Sequence, residues 1–192
     1  MNNYKISVEN IFFDLRKLKS CGDNVIIGKT VRIRNPELVE IGNNVIIDDF
    51  TYISGNISIG NYVHIAASCT LQASKSKITL SDFAALASGC RVVASGADFV
   101  NCGFDYATAP SELRYGGVNK EVYVGKYVQV GLNSVVLPGS NLPIGFTCGA
   151  LSKLVDSFTY KAWSILVNDK DGSCVRRTGV RKLIEQSNKV YE

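Results

Sequence analysis

Ile41-Gly42-Asn43-Asn44-Val45 returns eighteen residues later as Ile59-Gly60-Asn61-Tyr62-Val63. In both, an aliphatic residue precedes Gly, and a second small aliphatic residue follows four positions after the first. The arrangement recurs as Val124-Gly125-Lys126-Tyr127-Val128 and Ile144-Gly145-Phe146-Thr147-Cys148. Cys21-Gly22-Asp23-Asn24-Val25 opens the series, and Leu80-Ser81-Asp82-Phe83-Ala84 is a degenerate member. Between these units the chain keeps a six-residue register: Ile59, Ile65 and Leu71 are six apart, as are Val124, Val130 and Val136. Ile59 to Leu80 is 21 residues rather than 18, which places a three-residue insertion near Ser74-Lys75-Ser76-Lys77.

A period of six with two apolar positions suits neither a 3.6-residue helix nor a plainly alternating hairpin. It suits a triangular coil of three short strands, each followed by a tight corner. The first apolar residue of each hexad and the one four later point inward, and small residues sit where the backbone turns. Successive coils then pair as parallel strands about 4.8 Å apart, with like residues stacked in columns. A β-sandwich of short strands would need alternating polar faces and hairpin turns, which the chain lacks. The expected fold is therefore an all-β parallel β-helix over residues 21–167.

Three segments depart from the repeat. In residues 1–20, Ile11, Phe12, Leu15 and Leu18 have helical spacing, and a short amphipathic segment is expected to cap the first coil. Residues 96–120 break the register between Val93 and Val122 and are too long for a corner; such an excursion from a regular scaffold is usually functional. In the extension 168–192, Asp171-Gly172 reads as a turn and Arg181 to Lys189 as a final short helix.

At 192 residues the chain suits one domain. No apolar run approaches the roughly 20 residues of a membrane span. Met1-Asn2-Asn3-Tyr4-Lys5 lacks the basic-then-apolar pattern of a signal peptide, so a cytoplasmic location is expected. The net charge of +4, from 21 basic and 17 acidic residues, is too mild and dispersed to argue for nucleic acid. None of the six cysteines forms a C-x-x-C pair, so no zinc or redox motif is indicated; three fall on inward positions and read as reduced core thiols. No metal-binding constellation or P-loop is present.

Three local motifs sharpen the reading: Ile47-Asp48-Asp49-Phe50, Asn61-Tyr62-Val63-His64-Ile65-Ala66-Ala67 and Ala94-Ser95-Gly96-Ala97-Asp98-Phe99. With the repeat, and with Val135-Val136-Leu137-Pro138-Gly139, they make the chain resemble the left-handed β-helix acyltransferases of the hexapeptide-repeat family. The likeness is strongest to the sugar acyltransferases of bacterial surface-polysaccharide synthesis. Left-handed coiling, against the usual crossover rule, is what this resemblance implies. It also implies a homotrimer, with acyl-CoA lying in a groove between subunits and a small-molecule nucleotide sugar as the acceptor. Relatives usually carry two adjacent acids where this chain keeps only Asp98. The family's usual tail is replaced by Trp163-Ser164-Ile165-Leu166-Val167-Asn168-Asp169-Lys170, which alters how the far end of the groove is closed.

His64, the one histidine of the chain, directly precedes the inward Ile65, so its side chain faces outward beside a corner. Acyl transfer from a thioester needs a nucleophile relieved of its proton near neutral pH, and imidazole is suited to that; the plain alternative is a surface histidine. Asp98 matches the family's acid and either orients the imidazole or holds a substrate amino group, unless it is a solvated loop acid. Asp48 and Asp49 lie one coil before His64, since Ile46 is 18 residues upstream of it; they are candidate substrate ligands or plain surface acids. Gly131, Gly149 and Ala150 match small positions that line the cofactor groove in relatives, although glycine also merely permits corners. Lys126, Lys153 and Lys161 are candidate partners for the CoA phosphates. The expected activity is transfer of acetyl from acetyl-CoA to the amino group of a nucleotide-linked amino-deoxy sugar. O-acetylation of a saccharide hydroxyl and a non-catalytic binding module are the alternatives.

Overall fold

The computed structural model describes residues 13–98, 101, 104, 106–167 and 174–190. The chain forms a parallel β-helix, a triangular prism with an apolar interior. Along one face, parallel strands Ile26–Ile27, Ile46–Ile47, His64–Ile65, Ala85–Leu86, Gln129–Val130, Thr147–Cys148 and Ser164–Leu166 stack in chain order. The other two faces belong to one sheet, because Tyr52–Ile59 and Thr70–Leu80 run continuously around the corner between them. The extra residues of the third coil fall at that corner. The pairing of the two long strands slips from Gly55 opposite Ser74 to Asn56 opposite Lys77.

The interior consists of columns one coil apart. Ile47, Ile65, Leu86, Val130 and Cys148 form one; Val45, Val63, Ala84, Val128 and Phe146 form another; each is almost wholly buried. Cys69, Cys90 and Cys148 are buried free thiols, so the inward cysteines act as small apolar fillers. One unit is read two residues out of register by its sequence. Ile144 is exposed, whereas Leu142, eighteen residues after Val124, is fully buried and pairs through Asn141–Leu142 with Val122–Val124. Pro143 stands where earlier coils carry Gly, and Gly145 occupies the left-handed corner at φ 68°, so Ile144-Gly145 imitates the repeat without being its first step.

The corner before the His64 face requires a left-handed residue in every coil. Asn24, Asn44, Tyr62, Phe83, Tyr127 and Trp163 all take φ between 55° and 63° there. For bulky side chains this conformation costs of order 1 kcal/mol or more. Two devices offset it. Asp23 N donates to Asn43 Oδ1 (2.7 Å), Asn43 N to Asn61 Oδ1 (2.8 Å) and Asn61 N to Asp82 Oδ1 (2.8 Å), a ladder that locks successive corners together. The aromatic rings stack: Tyr62 on Phe83 at 4.9 Å, Phe83 on Tyr127 at 5.2 Å, and Tyr127 on Trp163 at 5.8 Å.

The departures from the coil are local. Ile11 and Phe12 lie outside the described residues, while Leu15–Lys17 forms a 3₁₀ turn and Leu18 is buried against the first coil. The excursion at 96–120 leaves and returns as an antiparallel pair, Ser95–Gly96 with Val118–Asn119. Cys174–Arg176 folds back antiparallel on Ser164–Leu166, and helix Val180–Asn188 follows. Asp171-Gly172 lies outside the described residues. No described helix is long and apolar enough to cross a membrane.

Candidate active site

Side chains on a strand alternate between the faces, so each two-residue strand of the His64 face presents one side chain outward and one inward. The outward positions in successive coils are Ile46, His64, Ala85, Gln129 and Thr147; two residues further on come Gly28, Asp48, Ala66, Ala87, Gly131 and Gly149. Ile46 pairs with His64, and His64 with Ala85. The second column is almost entirely Gly and Ala, which leaves a trough. Its central part is a groove of about 480 Å³ lined by His64, Ala66, Ala87, Ser88, Gly131 and Thr147 among others.

The imidazole is fixed by the preceding coil. His64 Nε2 lies 2.8 Å from Asp48 Oδ2, with the two side chains 53% and 43% exposed. Asp49 turns the other way. Its Oδ1 accepts from Thr30 N at 2.9 Å and from Thr30 Oγ1 at 2.8 Å, and these bonds hold its carboxyl below the usual carboxylate range. Phe50 N donates to the same hydroxyl. The paired acids thus divide their work: Asp48 meets the histidine and Asp49 ties its corner to the coil below.

Asp98 lies elsewhere. It follows the strand pair that opens the excursion, on the corner joining the other two faces. Its Oδ1 accepts from Asn101 N at 3.1 Å and its Oδ2 from Asn101 Nδ2 at 2.6 Å. Within one chain the structure brings Asp48, not Asp98, to His64.

The two groove glycines have different reasons to be glycine. A Cβ on Gly131 would sit 2.3 Å from the Gly149 carbonyl carbon and 2.4 Å from its oxygen, so the next coil forbids it. A Cβ on Gly149 would meet only Leu166 O at 3.7 Å, an ordinary contact. Gly131→Ala is therefore expected to lower stability by about 1–3 kcal/mol through overpacking. Gly149→Ala should leave Tm nearly unchanged and raise KM for acyl-CoA if the cofactor lies along this trough. Thermal melts and donor kinetics on the two variants check this. Ala150 is exposed at the next corner, beside Leu151 at φ 60°.

Other groove residues escape sequence reading. Ser88 and Gln129 line it, as does Thr147, whose Oγ1 is buried without a hydrogen-bond partner among the described residues. Their signal is only that Gln129 and Thr147 fall in the outward column of His64. Cys148 also borders the groove, but burial pushes its thiol up, which keeps it protonated and unfit as a nucleophile. On the other side of His64, a second cleft of about 330 Å³ lies between the aromatic ladder and the C-terminal helix, with Leu183, Gln186 and Ser187 as its far wall. Tyr127 Oη and Ser187 Oγ hydrogen-bond across it, and Arg177 Nη1 donates to Tyr127 O (3.0 Å) and Gly145 O (3.3 Å). Of the lysines suggested for phosphate contact, Lys126 lies over the Phe83 and Tyr127 rings at 5.6 and 5.1 Å. Lys153 stands on a different face, and Lys161 in the turn before the last strand of the His64 face. Among the described residues no group of three or more potential metal ligands occurs.

A parallel β-helix of hexapeptide coils, with a trough of small side chains beside a histidine–aspartate pair, is the architecture of a hexapeptide-repeat transferase. Residues 39–73 match the family described as Bacterial transferase hexapeptide (six repeats). The dTDP-4-amino-4,6-dideoxy-D-glucose acyltransferase of Escherichia coli is 36% identical over 138 residues, 70% of each chain. The solved structure of AntD, an N-acyltransferase from Bacillus cereus, in complex with dTDP and 3-hydroxybutyryl-CoA is 31% identical. That alignment covers 95% of this chain and 97% of AntD, with a TM-score of 0.82. A maltose O-acetyltransferase from Clostridium difficile 630, 17% identical over 85% of this chain and 72% of its own with a TM-score of 0.53, shares the fold alone. The chain belongs to the hexapeptide-repeat acyltransferases, whose coils are left-handed, and is an acyl-CoA-dependent enzyme of that family.

Proposed function

We propose that this enzyme transfers an acetyl group from acetyl-CoA to the amino group of a nucleotide-linked amino-deoxy sugar. We place it in surface-polysaccharide synthesis, in the cytoplasm, as a homotrimer. The observation that carries the reading is the trough of small residues running past an outward His64 that is held by Asp48. An extended pantetheine arm needs such a floor, because bulky side chains would keep it from the backbone groups that hold it. Ala66, Ala87, Gly131 and Gly149 supply the floor, and Ala150 continues it to the next corner. The Escherichia coli acyltransferase and AntD, each more than 30% identical to this chain, support an amine acceptor. Variants of AntD in solved structures replace a serine and an aspartate ten positions later. Here Ser88 lines the groove, and Asp98 follows at the same spacing.

In the step itself the amine lone pair attacks the thioester carbonyl, a C–N bond forms, the C–S bond breaks, and the thiolate leaves. With Nε2–H donating to Asp48, His64 keeps its lone pair on Nδ1 and can take the surplus ammonium proton; that tautomer is assigned from the hydrogen bond. The thiolate is the final acceptor of that proton. Asp98, held by Asn101, aligns the amino group. Asp49 keeps the corner that presents Asp48.

His64 and Asp98 stand on successive coils and on different sides of the prism, and the imidazole is half exposed, so a second copy is needed to bring the acid across and exclude water. Phe50 (71% exposed, φ 62°), Leu132 (48%) and Leu151 (76%) run along the edge of the His64 face and offer that copy an apolar contact. Light scattering is expected to give three times the chain mass of 20.9 kDa; a monomeric mass at assay concentrations would remove the shared site. Acetyl is the proposed acyl group, although the cleft beside the C-terminal helix has room for more than two carbons. A donor series with an amino-sugar nucleotide, followed by thiol release, tests the assignment. Acetyl-CoA should give the highest kcat/KM, and a preference for a hydroxyacyl-CoA would move the donor to a longer chain.

A further inference from the structure

We infer that the histidine–aspartate pair gives this enzyme a second activity: with no acceptor sugar present, it hydrolyses acyl-CoA to the free acid and CoA. The inference rests on acyl-CoA lying along the trough and not on which acceptor the enzyme uses. The site carries more base than an amine acceptor needs. A neutral amine has its own lone pair, and the departing thiolate can collect the surplus proton, so amine transfer asks little of an imidazole. Three successive coils nonetheless contribute to presenting one. His64 stands outward because Ile65 is wholly buried, and Asp48 of the preceding coil meets its Nε2 at 2.8 Å. The corner that carries Asp48 is tied down by Asp49, which accepts from Thr30 N and Thr30 Oγ1. An oriented imidazole is what a nucleophile with a firmly held proton requires, and water is such a nucleophile.

The surroundings of the imidazole admit water. His64, Ala85 and Gln129 border both the trough and the cleft beside the C-terminal helix, so the two hollows meet at the imidazole. The cleft holds about 330 Å³, whereas one water takes about 30 Å³ and needs two to four polar partners. Gln129, Gln186 and Ser187 supply polar side chains in its wall. Asp98, proposed to align an amine, stands apart from this arrangement, its carboxylate bonded to Asn101 on another side of the prism. Base, thioester and water therefore come together without it.

In the step, His64 Nδ1 takes a proton from water while the water oxygen bonds to the thioester carbonyl carbon. The tetrahedral adduct then collapses, the C–S bond breaks, and the leaving sulfur receives that proton from the imidazolium. The products are one carboxylic acid and one CoA thiol. Asp48 keeps the imidazole turned for both transfers. An acceptor sugar in place displaces the water, so transfer and hydrolysis compete for the same thioester.

The test incubates the full-length protein with acetyl-CoA alone in water enriched in oxygen-18, following free thiol and the mass of the acetate. The expected result is steady thiol release well above the enzyme-free blank, with one labelled oxygen in each acetate. His64→Asn should lower kcat for this release by about 10²–10⁴-fold. Asp48→Asn should lower it by about tenfold or more, with KM for acetyl-CoA unchanged in both. Asp98→Asn should lose transfer to an amino-sugar nucleotide and keep hydrolysis. Thermal melts establish folding, and His64→Gln is read instead if His64→Asn melts early. A protein that binds CoA in isothermal titration yet releases thiol no faster than the blank would overturn the inference. Release that survives in a folded His64 variant would overturn it too. Failure to bind CoA would sink the trough and this inference together. Hydrolysis with no transfer to any amino sugar would keep the inference and sink the N-acyltransferase reading.

Discussion

Asp98→Asn is expected to lower kcat on an amino-sugar nucleotide by about 10²–10³-fold, and His64→Asn by no more than that. An amine has a free lone pair once neutral, and the departing thiolate can take the surplus proton, so the reaction does not depend steeply on an imidazole base. It does depend on the amine being held in line with the thioester carbonyl. Asn101 already fixes the Asp98 carboxylate through both oxygens, so the group is set before substrate arrives. Asparagine keeps the shape and removes the charge that attracts the amino group. KM for acyl-CoA should be unchanged in both variants, since neither side chain is proposed to hold the cofactor. Full activity of Asp98→Asn would reduce Asp98 to an acid that structures its loop. An effect confined to KM of the sugar would make it a binding group only.

The largest expected loss of stability comes from Phe146→Ala. Phe146 is fully buried in the column that holds Val128 one coil earlier, and its ring packs against Tyr160 at 4.9 Å. Most of the interior is aliphatic; here, near the C-terminal end of the prism, one aromatic ring fills the cross-section. Truncation removes that surface and leaves a cavity that rigid neighbouring coils cannot close, at about 3–5 kcal/mol. In a chain of this size that corresponds to roughly 6–20 °C in Tm. Phe146→Leu, which keeps most of the volume, should cost less than half as much. A Phe146→Ala protein melting with wild type would show that the end of the prism carries little of the fold's stability.

Ile41, Ile59 and the residues six and twelve after them were enough to identify the prism, because a stacked coil must place like residues in columns. The misreading of Ile144 has a specific source. Two candidate first positions stood two residues apart, and only the distance from Val124 separates them. His64 was legible as outward because Ile65 must be inward, and its approach to Asp48 follows from an eighteen-residue coil. The cleft under helix Val180–Asn188 was not legible, because it exists only where Cys174–Arg176 folds back on the last strand. The separation of Asp98 from His64 was equally hidden: Asp98 lies beyond the last regular strand before the excursion, where counting coils gives no position.

The most direct test of N-acyl transfer sets a nucleotide-linked amino-deoxy sugar against its counterpart bearing a hydroxyl at the same carbon. Each is incubated with acetyl-CoA and the wild-type enzyme, with thiol release followed and the product mass determined. The account predicts that the amino sugar is acylated with far the higher kcat/KM and that the product is an amide stable to mild base. Acylation of the hydroxyl compound alone, giving a base-labile ester, would contradict it and make the enzyme an O-acetyltransferase.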